Sequence, residues 1–197
     1  MVKVAVLVSG GGTNLQAIID AKAAGALPNA ELALVLASKD GVYALQRAAA
    51  AGIPTAVVAR KAYAQADAYT QALLQTLQDN GIEAIVLAGF LSILGEKLIR
   101  AYERKIINVH PSLIPSFCGA GFYGLKVHEA ALAKGVKVTG ATVHFVNEIA
   151  DDGEIILQKA VTVEPDDTPE TLQKRVMEQA EWELLPKALA LLTDGKL

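Results

Sequence analysis

The stretch KVAVLVSGGGTNLQAIIDAKAAG, residues 3–25, decides the fold class. Its first six residues form an apolar, β-branched run that stops at glycines, which is typical of a buried strand. Leu15, Ile18 and Ile19 then recur at helical spacing up to Gly25, which predicts an amphipathic helix that ends there. A strand, a glycine turn and a helix in this order form the first part of a βαβ unit.

The same order repeats up to residue 89. Further strands are predicted at ELALVLAS (31–38), TAVVA (55–59) and EAIVLAG (83–89), and further helices at VYALQRAAAAG (42–52) and ADAYTQALLQTLQDNG (66–81). The strands are continuous apolar runs, which are typical of a sheet that is covered on both faces. The first half therefore predicts a parallel sheet with helices on both sides, a three-layer α/β fold of the Rossmann-like kind.

The pattern changes after residue 105. A helix is predicted at LKVHEAALAKG (125–135), and two longer strands at KVTGATVHFV (137–146) and EIILQKAVTV (154–163). Only seven residues separate these two strands, too few for a helical crossover, so we expect them to pair antiparallel. The sheet should thus be parallel in the first half and mixed in the second.

A last helix is predicted over residues 168–192. Thr168 is its expected N-cap, and Pro169 occupies the first helical position. Pro186 should kink or interrupt this helix, because proline cannot donate a backbone hydrogen bond. We expect one domain over 1–197, with a parallel first half (1–104) and a mixed second half (105–197).

The composition excludes several classes of protein. Hydrophobic residues make up 52% of the 197 residues and charged residues 20%, as in globular proteins. A single cysteine rules out an internal disulfide, and three scattered histidines predict no metal cluster. The net charge of −3 and the absence of a basic stripe predict no nucleic-acid partner, and no apolar run is long enough to predict a membrane span. The short apolar N-terminus predicts no signal sequence, so we expect a cytoplasmic protein that acts on small molecules.

The loop SGGGTN (9–14) is the first candidate site. Glycines let the backbone approach a ligand closely, and free N–H groups at a helix start favour phosphate. The loop lacks the lysine of a Walker motif, and Leu15 stands where the dinucleotide pattern requires a third glycine. Thr13 and Asn14 suit a mononucleotide phosphate instead. A plain tight turn is the alternative.

The stretch KIINVHPSLIP (105–115) is the second candidate. Asn108 and His110 are two residues apart at the end of a strand, so their side chains share one face. Ligands of open α/β sheets gather beyond the carboxyl ends of the parallel strands, where the glycine loop also lies. We therefore expect both features to face one crevice. The alternative is a strand end that merely reaches solvent.

Other polar positions have ordinary explanations as well. Asp151 and Asp152 precede a glycine, and such turns are common without any chemistry. His144 lies among apolar neighbours on a strand, where a hydrogen-bonded core histidine is the default, and His128 is interpreted as structural or exposed. The glycine- and aromatic-rich loop 116–124 suits either a lid or an ordinary surface loop.

Several motifs together resemble one known family. The segments VSGGGTNLQAIIDA, VLAGFLSIL, IINVHPSLIPSF, VTGATVHFV and DDGEIILQ follow one another across residues 8–158, and EWELLP follows at 181–186. This ordered set resembles the phosphoribosylglycinamide formyltransferases of purine synthesis. The resemblance implies a formyltransferase fold and transfer of a formyl group from 10-formyltetrahydrofolate to the glycyl amine of 5′-phosphoribosylglycinamide, without a metal.

The resemblance also implies a nucleotide-phosphate-binding half (1–104), a catalytic and folate-binding half (105–197), and roles for individual residues. The catalytic residues would be Asn108, His110 and Asp151. Phosphoribosylglycinamide would be bound by Gly12, Thr13, Asn14, Glu178 and Glu181. The folate pocket would be lined by Leu91, Ser92, Ile93, Leu94, Asn108, Asn147, Glu148, Ile149, Ala150 and Asp151. Asn108 and a protonated His110 are expected to donate to the developing oxyanion, and Asp151 to favour the imidazolium and to accept the proton lost by the amine.

The chain departs from the family pattern at a few positions. Ser92 and Ala66 stand where the family often has basic residues that face the anionic folate tail. Arg60 and Lys61 are candidate replacements for those charges. The last helix requires a one-residue adjustment within residues 175–182 to match the family.

Other functions are compatible with parts of this pattern. Formyl-folate hydrolases and aminoacyl-tRNA formyltransferases share HPSLIP, but such relatives usually carry an extra domain, for which 197 residues leave no room. A non-catalytic nucleotide-binding module is another class, but phosphate binding alone requires none of Asn108, His110 and Asp151. We expect small-molecule substrates as the only ligands and a monomer or homodimer.

Overall fold

The computed structural model describes residues 1–197 as a sheet of seven strands flanked by helices. The strands are β1 (Val2–Val8), β2 (Ala30–Ala37), β3 (Thr55–Val57), β4 (Ala84–Leu87), β5 (Ile106–His110), β6 (Val138–Phe145) and β7 (Ile155–Thr162). The helices are α1 (Thr13–Ala23), α2 (Tyr43–Ala50), α3 (Ala66–Asp79), α4 (Glu96–Ala101), α5 (Leu125–Lys134), α6 (Pro169–Val176) and α7 (Trp182–Thr193). A 3₁₀ turn occupies Arg60–Ala62, and a π-helical turn, Met177–Glu181, joins α6 to α7.

The strand order confirms the predicted fold class. The sheet runs β3-β2-β1-β4-β5-β6-β7, with the first five strands parallel to one another. β6 is antiparallel to both β5 and β7, as the short connection between β6 and β7 predicts. The chain builds outward from β1 in one direction and then crosses to β4. The strand order therefore reverses between β1 and β4, and ligands of open α/β sheets bind at such a point.

Strand β1 shows why the strands are continuously apolar. Val4, Val6 and Val8 pack into a core under α1, α2, α6 and α7, whereas Ala5 and Leu7 pack into a second core under α3 and α4. All five side chains are fully buried. Alternate residues of one strand thus fill two cores, so a polar residue on either face would lose its hydration without compensation.

The sequence does not predict helix α4. It has only six residues and follows an apolar segment that shows no helical spacing, so the pattern gives no signal for a helix there. The boundaries of the other elements fall within two residues of the predicted ones in most cases. None of the helices combines the length and the apolar character that crossing a membrane requires.

The C-terminal helical segment differs from the prediction in one respect. Thr168 accepts a hydrogen bond from the backbone N–H of Thr171 and Pro169 begins α6, which confirms the predicted helix start. Pro186, however, lies inside α7, and the irregularity is the π turn that precedes α7. Proline removes the N–H that would bond to the carbonyl of Trp182, and the π turn lies directly before that residue.

Candidate active site

A cavity of about 300 Å³, here called cavity A, lies beyond the carboxyl ends of β1, β4 and β5. It is the crevice that the switch in strand order predicts. Both candidate motifs of the sequence face it, as expected. Its lining includes Gly10, Gly11, Gly12, Thr13, Asn14, Ala88, Gly89, Phe90, Leu91, Asn108, His110, Phe122, Tyr123, Asp151, Gln173, Met177 and Glu181.

The glycine loop presents unpaired backbone donors to cavity A. The N–H groups of residues 11–14 donate to no group of the chain. Gly12 has a φ of 74°, and a Cβ there would lie 2.7 Å from the Cβ of Ala44, so only glycine fits between the loop and α2. Free donors at the start of α1 form a site for an anion such as phosphate.

Ser9 connects three loops around the cavity, a role that sequence reasoning missed. Its hydroxyl lies 2.6 Å from that of Ser38, after β2, and accepts a hydrogen bond of 2.9 Å from the backbone N–H of Leu91, after β4. The side chain is 3% exposed. A single serine at a strand end carries no signal for such contacts, which depend on the lateral order of the strands.

Strands β5 and β6 place three polar side chains on one face of the sheet. Asn108 and His110 share that face through the alternation of β5, and His144 of β6 lies directly opposite Asn108. The Nδ2 atom of Asn108 is 3.1 Å from Nε2 of His144. His144 Nδ1 donates to the carbonyl of Phe145 at 2.8 Å, and the tautomer with its only proton on Nδ1 presents the lone pair of Nε2 to the Asn108 amide.

The carboxylate of Asp151 lies close to the rings of both His110 and His144. Its Oδ2 atom lies 3.4 Å from Nδ1 of His110, and its Oδ1 atom lies 3.6 Å from Nε2 of His144. The backbone N–H of Gly119 donates to the same carboxylate at 2.8 Å. His144 is buried and hydrogen-bonded, as interpreted from the sequence, and it is in addition part of the polar cluster at the site.

Local backbone geometry brings Asp151 to this position. Asp151 has a φ of 57°, a left-handed conformation that aspartate adopts more readily than most residues. A Cβ at Gly153 would lie 1.7 Å from the carbonyl oxygen of Phe145, so the loop folds back this closely only with glycine. The Asp-Gly turn and the candidate catalytic carboxylate are thus the same feature.

The environment of His110 lowers the pKa of its imidazole. Burial is the largest cause, and it outweighs the opposing effects of the Asp151 charge and of the hydrogen bond to the Phe117 carbonyl. The Nε2–H group donates to that carbonyl at 2.9 Å. The imidazole is therefore neutral at neutral pH in the free protein, whereas the sequence led us to expect an imidazolium. Desolvation of a ring that is only 4% exposed explains the difference.

The surroundings of Asp151 lower the pKa of its carboxyl group, because the other contacts outweigh burial. Burial raises its pKa, but the contact with His144, the charge of His110 and the Gly119 N–H together hold the pKa below its usual range. Asp151 is therefore ionised at neutral pH. An ionised acceptor next to a neutral imidazole is an arrangement that can take up one proton.

A second cavity of about 270 Å³, here called cavity B, adjoins cavity A. The two cavities share Phe90, Asn108 and Asp151. Cavity B is lined mostly by apolar side chains, which suits a flat aromatic ligand. Its lining consists of Leu87, Phe90, Ser92, Ile93, Leu94, Ile99, Asn108, His144, Val146, Asn147, Glu148, Ile149, Ala150 and Asp151.

The residues predicted to line the folate pocket fall largely in cavity B. The exception is Leu91, which lines cavity A. No lysine or arginine lines either cavity. Arg60, a suggested replacement for the missing basic residues, donates to the carbonyl of Tyr63 at 2.7 Å and contributes to neither lining.

The π turn decides which residues of the last helical segment reach cavity A. Gln173, Met177 and Glu181 face it at intervals of four residues, whereas Glu178 does not line it. Glu178 is exposed and pairs with Lys174. Because Glu178 follows Met177 directly, it projects about a quarter turn away from the cavity. The structure therefore does not bring the predicted Glu178 to the site.

Glu181 is buried against the glycine loop. The Asn14 Nδ2 group donates to its carboxyl at 2.7 Å, and the side chain is 6% exposed. Burial raises the pKa of this carboxyl to about 7, although the Asn14 hydrogen bond opposes the shift. Glu181 is thus an acid that changes charge near neutral pH inside cavity A.

This raised pKa predicts a pH-dependent stability. The folded protein binds the Glu181 proton more tightly than the unfolded chain, so stability from this group is fully present below pH 4.5 and is lost as the pH rises to about 7. The loss amounts to about 3 kcal/mol. Urea unfolding at pH 5 and pH 8 should show that Glu181→Gln gains stability relative to the wild type at the higher pH. A difference between the two proteins that is independent of pH would contradict the assignment.

The loop 116–124 contacts the site at several points. Phe117 and Gly119 bond to His110 and Asp151, while Phe122 and Tyr123 line cavity A. These contacts favour the interpretation of this loop as a lid rather than as an ordinary surface loop. The fully buried His128 on α5 lines neither cavity.

Comparisons with known proteins agree with this geometry. A family model described as formyl transferase matches residues 2–189. The phosphoribosylglycinamide formyltransferase of Haemophilus influenzae is 41% identical over 197 residues, which cover 100% of this chain and 90% of that protein. The crystal structure of glycinamide ribonucleotide transformylase 1 from Symbiobacterium toebii superposes with a TM-score of 0.93 at 39% identity, covering 100% of this chain and 90% of that one.

Some relatives are much longer proteins. The trifunctional purine biosynthetic protein adenosine-3 of Gallus gallus is 46% identical over 194 residues, 98% of this chain. This chain spans only 19% of that protein and 14% of its Drosophila melanogaster counterpart. The similarity to these relatives is therefore confined to one segment of each.

Proposed function

The chain belongs to the phosphoribosylglycinamide formyltransferase family of the formyl transferases, and on this premise we propose that it transfers a formyl group from 10-formyltetrahydrofolate to the glycyl amine of 5′-phosphoribosylglycinamide. The product would be 5′-phosphoribosyl-N-formylglycinamide, an intermediate of purine synthesis. Similarity over nearly the whole of the Haemophilus influenzae enzyme supports this activity.

One observation carries the proposal: two cavities meet at Asn108 and Asp151. Group transfer between two substrates requires that both bind at once with their reacting atoms in contact. An acceptor amine in cavity A and a formyl donor in cavity B would meet beside these two side chains. A module that only binds nucleotides would require neither the second cavity nor the polar cluster between them.

Cavity B suits the donor. Its apolar side chains, such as Leu94, Ile99 and Val146, match a planar ring system, and the loop 147–151 offers backbone groups for hydrogen bonds. When bound, 10-formyltetrahydrofolate supplies an activated formyl group. No cation lines cavity B itself, but Arg100 pairs with Glu148 of that lining at 3.2 Å.

Cavity A suits the acceptor. The free N–H groups of the glycine loop and the N-terminus of α1 would hold the phosphate, assisted by the hydroxyl of Thr13. Asn14 and Glu181, which are hydrogen-bonded to each other, line the same cavity and would bind the ribose hydroxyls. The glycyl amine would then extend to Asn108.

The polar cluster would stabilise the charge that develops on the formyl oxygen. Asn108 is oriented by His144, which accepts one of its two amide hydrogens and leaves the other for the substrate. The Nε2–H group of His110 bonds to the Phe117 carbonyl in the free protein, so a small displacement of this loop residue would release it toward the formyl oxygen. Two donors aimed at one developing charge are the usual source of catalysis in acyl transfer.

The same cluster would accept the proton that the attacking amine loses. In the neutral ring, Nδ1 of His110 carries a lone pair that faces Oδ2 of Asp151 at 3.4 Å. A proton placed between these atoms converts the pair to imidazolium and carboxylate. The pair therefore gains positive charge on His110 at the moment when the formyl oxygen becomes negative, which stabilises the transition state.

We assign phosphate binding to residues 1–104 and the catalytic and folate-binding groups mainly to residues 105–197, although Ser92, Ile93 and Leu94 of the first half also line cavity B. One sheet runs through both halves, which agrees with a single domain. A cytoplasmic location and a monomeric or homodimeric state stay predictions.

A direct assay tests the activity. Purified protein with phosphoribosylglycinamide and 10-formyltetrahydrofolate should yield formylated acceptor and tetrahydrofolate in equal amounts, measured by absorbance and mass spectrometry. Formate release that does not depend on the acceptor would indicate a hydrolase instead. Binding of both ligands without turnover would indicate a non-catalytic module. Either outcome would contradict the proposed function.

A further inference from the structure

We propose that Arg47 is a positioning residue for the phosphate of the acceptor substrate, because it fixes the direction in which the glycine loop presents its N–H groups. This inference rests on the proposed function for the identity of the substrate. Arg47 lies on α2, outside both cavities, and no motif in the sequence distinguishes it from an ordinary helix-surface arginine.

Arg47 is bonded directly to the glycine loop. Its Nε–H group donates to the carbonyl oxygen of Gly11 at 2.9 Å. The carbonyl of Gly11 and the N–H of Gly12 belong to one planar trans peptide, so they point in opposite directions. A carbonyl held toward α2 by Arg47 therefore directs the Gly12 N–H away from α2, toward cavity A.

The neighbouring peptide is fixed in the same way. The backbone N–H of Ala44, also on α2, donates to the carbonyl of Gly10 at 3.2 Å. The Gly11 N–H, which shares that peptide, is thus directed away from α2 as well. Helix α2 therefore orients two consecutive peptides of the loop, and Arg47 supplies the only side-chain bond among these contacts.

The guanidinium of Arg47 is itself held in place by neighbours on α1 and α2. Its Nη1 group donates to the side chain of Gln16 at 3.0 Å, and its guanidinium lies 5.0 Å from the ring centre of Tyr43. It makes no ion pair with a carboxylate. With Gln16 it lines a separate depression of about 490 Å³ on the outer side of α1. Thr13 lines both this depression and cavity A, and the hydrogen bond of Arg47 to Gly11 acts on a ligand in cavity A through the loop.

The composition of cavity A makes this orientation important. Because no lysine or arginine lines the cavity, a bound phosphate would depend on backbone donors and on the dipole of α1. Hydrogen bonds from N–H groups to a charged acceptor are stronger than neutral ones but are sensitive to direction. A loop free to rotate its glycine peptides would lose part of that interaction.

The test compares substrates with and without the phosphate. Arg47→Met keeps the aliphatic stem but removes the donor, and it should raise the KM for phosphoribosylglycinamide about tenfold while changing kcat and the KM for the formyl donor little. The same substitution should leave the kinetics with the dephosphorylated acceptor, ribosylglycinamide, unchanged relative to the wild type. Lys22→Met is the matched control, because Lys22 donates to the carbonyl of Leu27 at the other end of α1. It should show no phosphate-specific effect.

Direct binding separates this inference from the proposed function. Inorganic phosphate, titrated against each protein by calorimetry, should bind Arg47→Met about tenfold more weakly than the wild type and Lys22→Met, whether or not formyl transfer occurs. Arg47→Lys keeps one donor and should lie between the two. Equal losses with both acceptors, or unchanged phosphate binding in Arg47→Met, would overturn the role of Arg47. Wild-type phosphate binding without formyl transfer would contradict the proposed function alone.

Discussion

Replacing His110 by alanine is expected to lower the turnover number of formyl transfer about a hundredfold to a thousandfold. The substitution removes the proposed donor to the developing oxyanion, and loss of such a donor typically costs about 2.7–4 kcal/mol of activation free energy. It also removes the nitrogen that faces Asp151, so the proton from the amine loses its shared acceptor site. Steady-state kinetics with saturating concentrations of both substrates measures the effect as a fall in kcat.

A second substitution separates the two functions of His110. Glutamine keeps an N–H donor but cannot take up a proton, so His110→Gln should recover part of the lost turnover and lack the ionisation of His110 in its pH profile. Both variants should keep the KM for phosphoribosylglycinamide within a few-fold, because the phosphate loop is untouched. Full turnover in His110→Ala would show that His110 is not catalytic.

Asp151→Asn is expected to reduce turnover by a factor of about 10² to 10⁴, the usual range for loss of a general base. The amide retains the size of the side chain but removes the negative charge that faces both histidines. That charge raises the pKa of His110 against the effect of burial, so its removal lowers this pKa further. The acidic limb of the kcat profile, where His110 must lose a proton, should therefore move to lower pH.

The neighbouring carboxylate provides a matched control. Asp152→Asn makes the same chemical change one residue away, but Asp152 is exposed and lines neither cavity. It should keep nearly full turnover and an unshifted pH profile. If Asp151→Asn behaved like Asp152→Asn, the proposed coupling between Asp151 and His110 would be wrong.

The fold was largely predictable because the sequence of each strand shows which of its two faces are buried. The residues of β1 fill two cores alternately, so burial on both faces appears in the sequence as an unbroken apolar run. The antiparallel β6–β7 pair followed from a connection too short for a crossover. Helix α4 was not predictable, since six residues give too few turns for a periodic pattern.

The candidate site was predictable only where its residues are close in sequence. Asn108 and His110 are two positions apart on β5, so alternation alone places them together. His144 reaches Asn108 across the sheet, and the register of β5 against β6 is a tertiary property. The position of Asp151 depends on how closely the turn folds back against Phe145. From the sequence alone, His144 among apolar residues and the Asp-Gly turn at Asp151 therefore had ordinary explanations, because the strand pairing was not known.

The bonds from loop 116–124 could not be predicted at all. Phe117 and Gly119 contact the catalytic candidates through backbone atoms, which every residue type possesses. A sequence carries no signal for contacts of this kind. The neutral state of His110 in the free protein depends on the same tertiary burial.

The π turn between α6 and α7 offers a physical reason for the one-residue adjustment that the family resemblance requires in this segment. One extra residue there is accommodated by a wider turn, so the helix continues without forming a loop. Residues before and after the turn then keep the same faces of the helix, but one more residue separates them. Glu181 should accordingly be matched with relatives by counting back from Pro186, whereas residues up to Arg175 are matched from the start of α6.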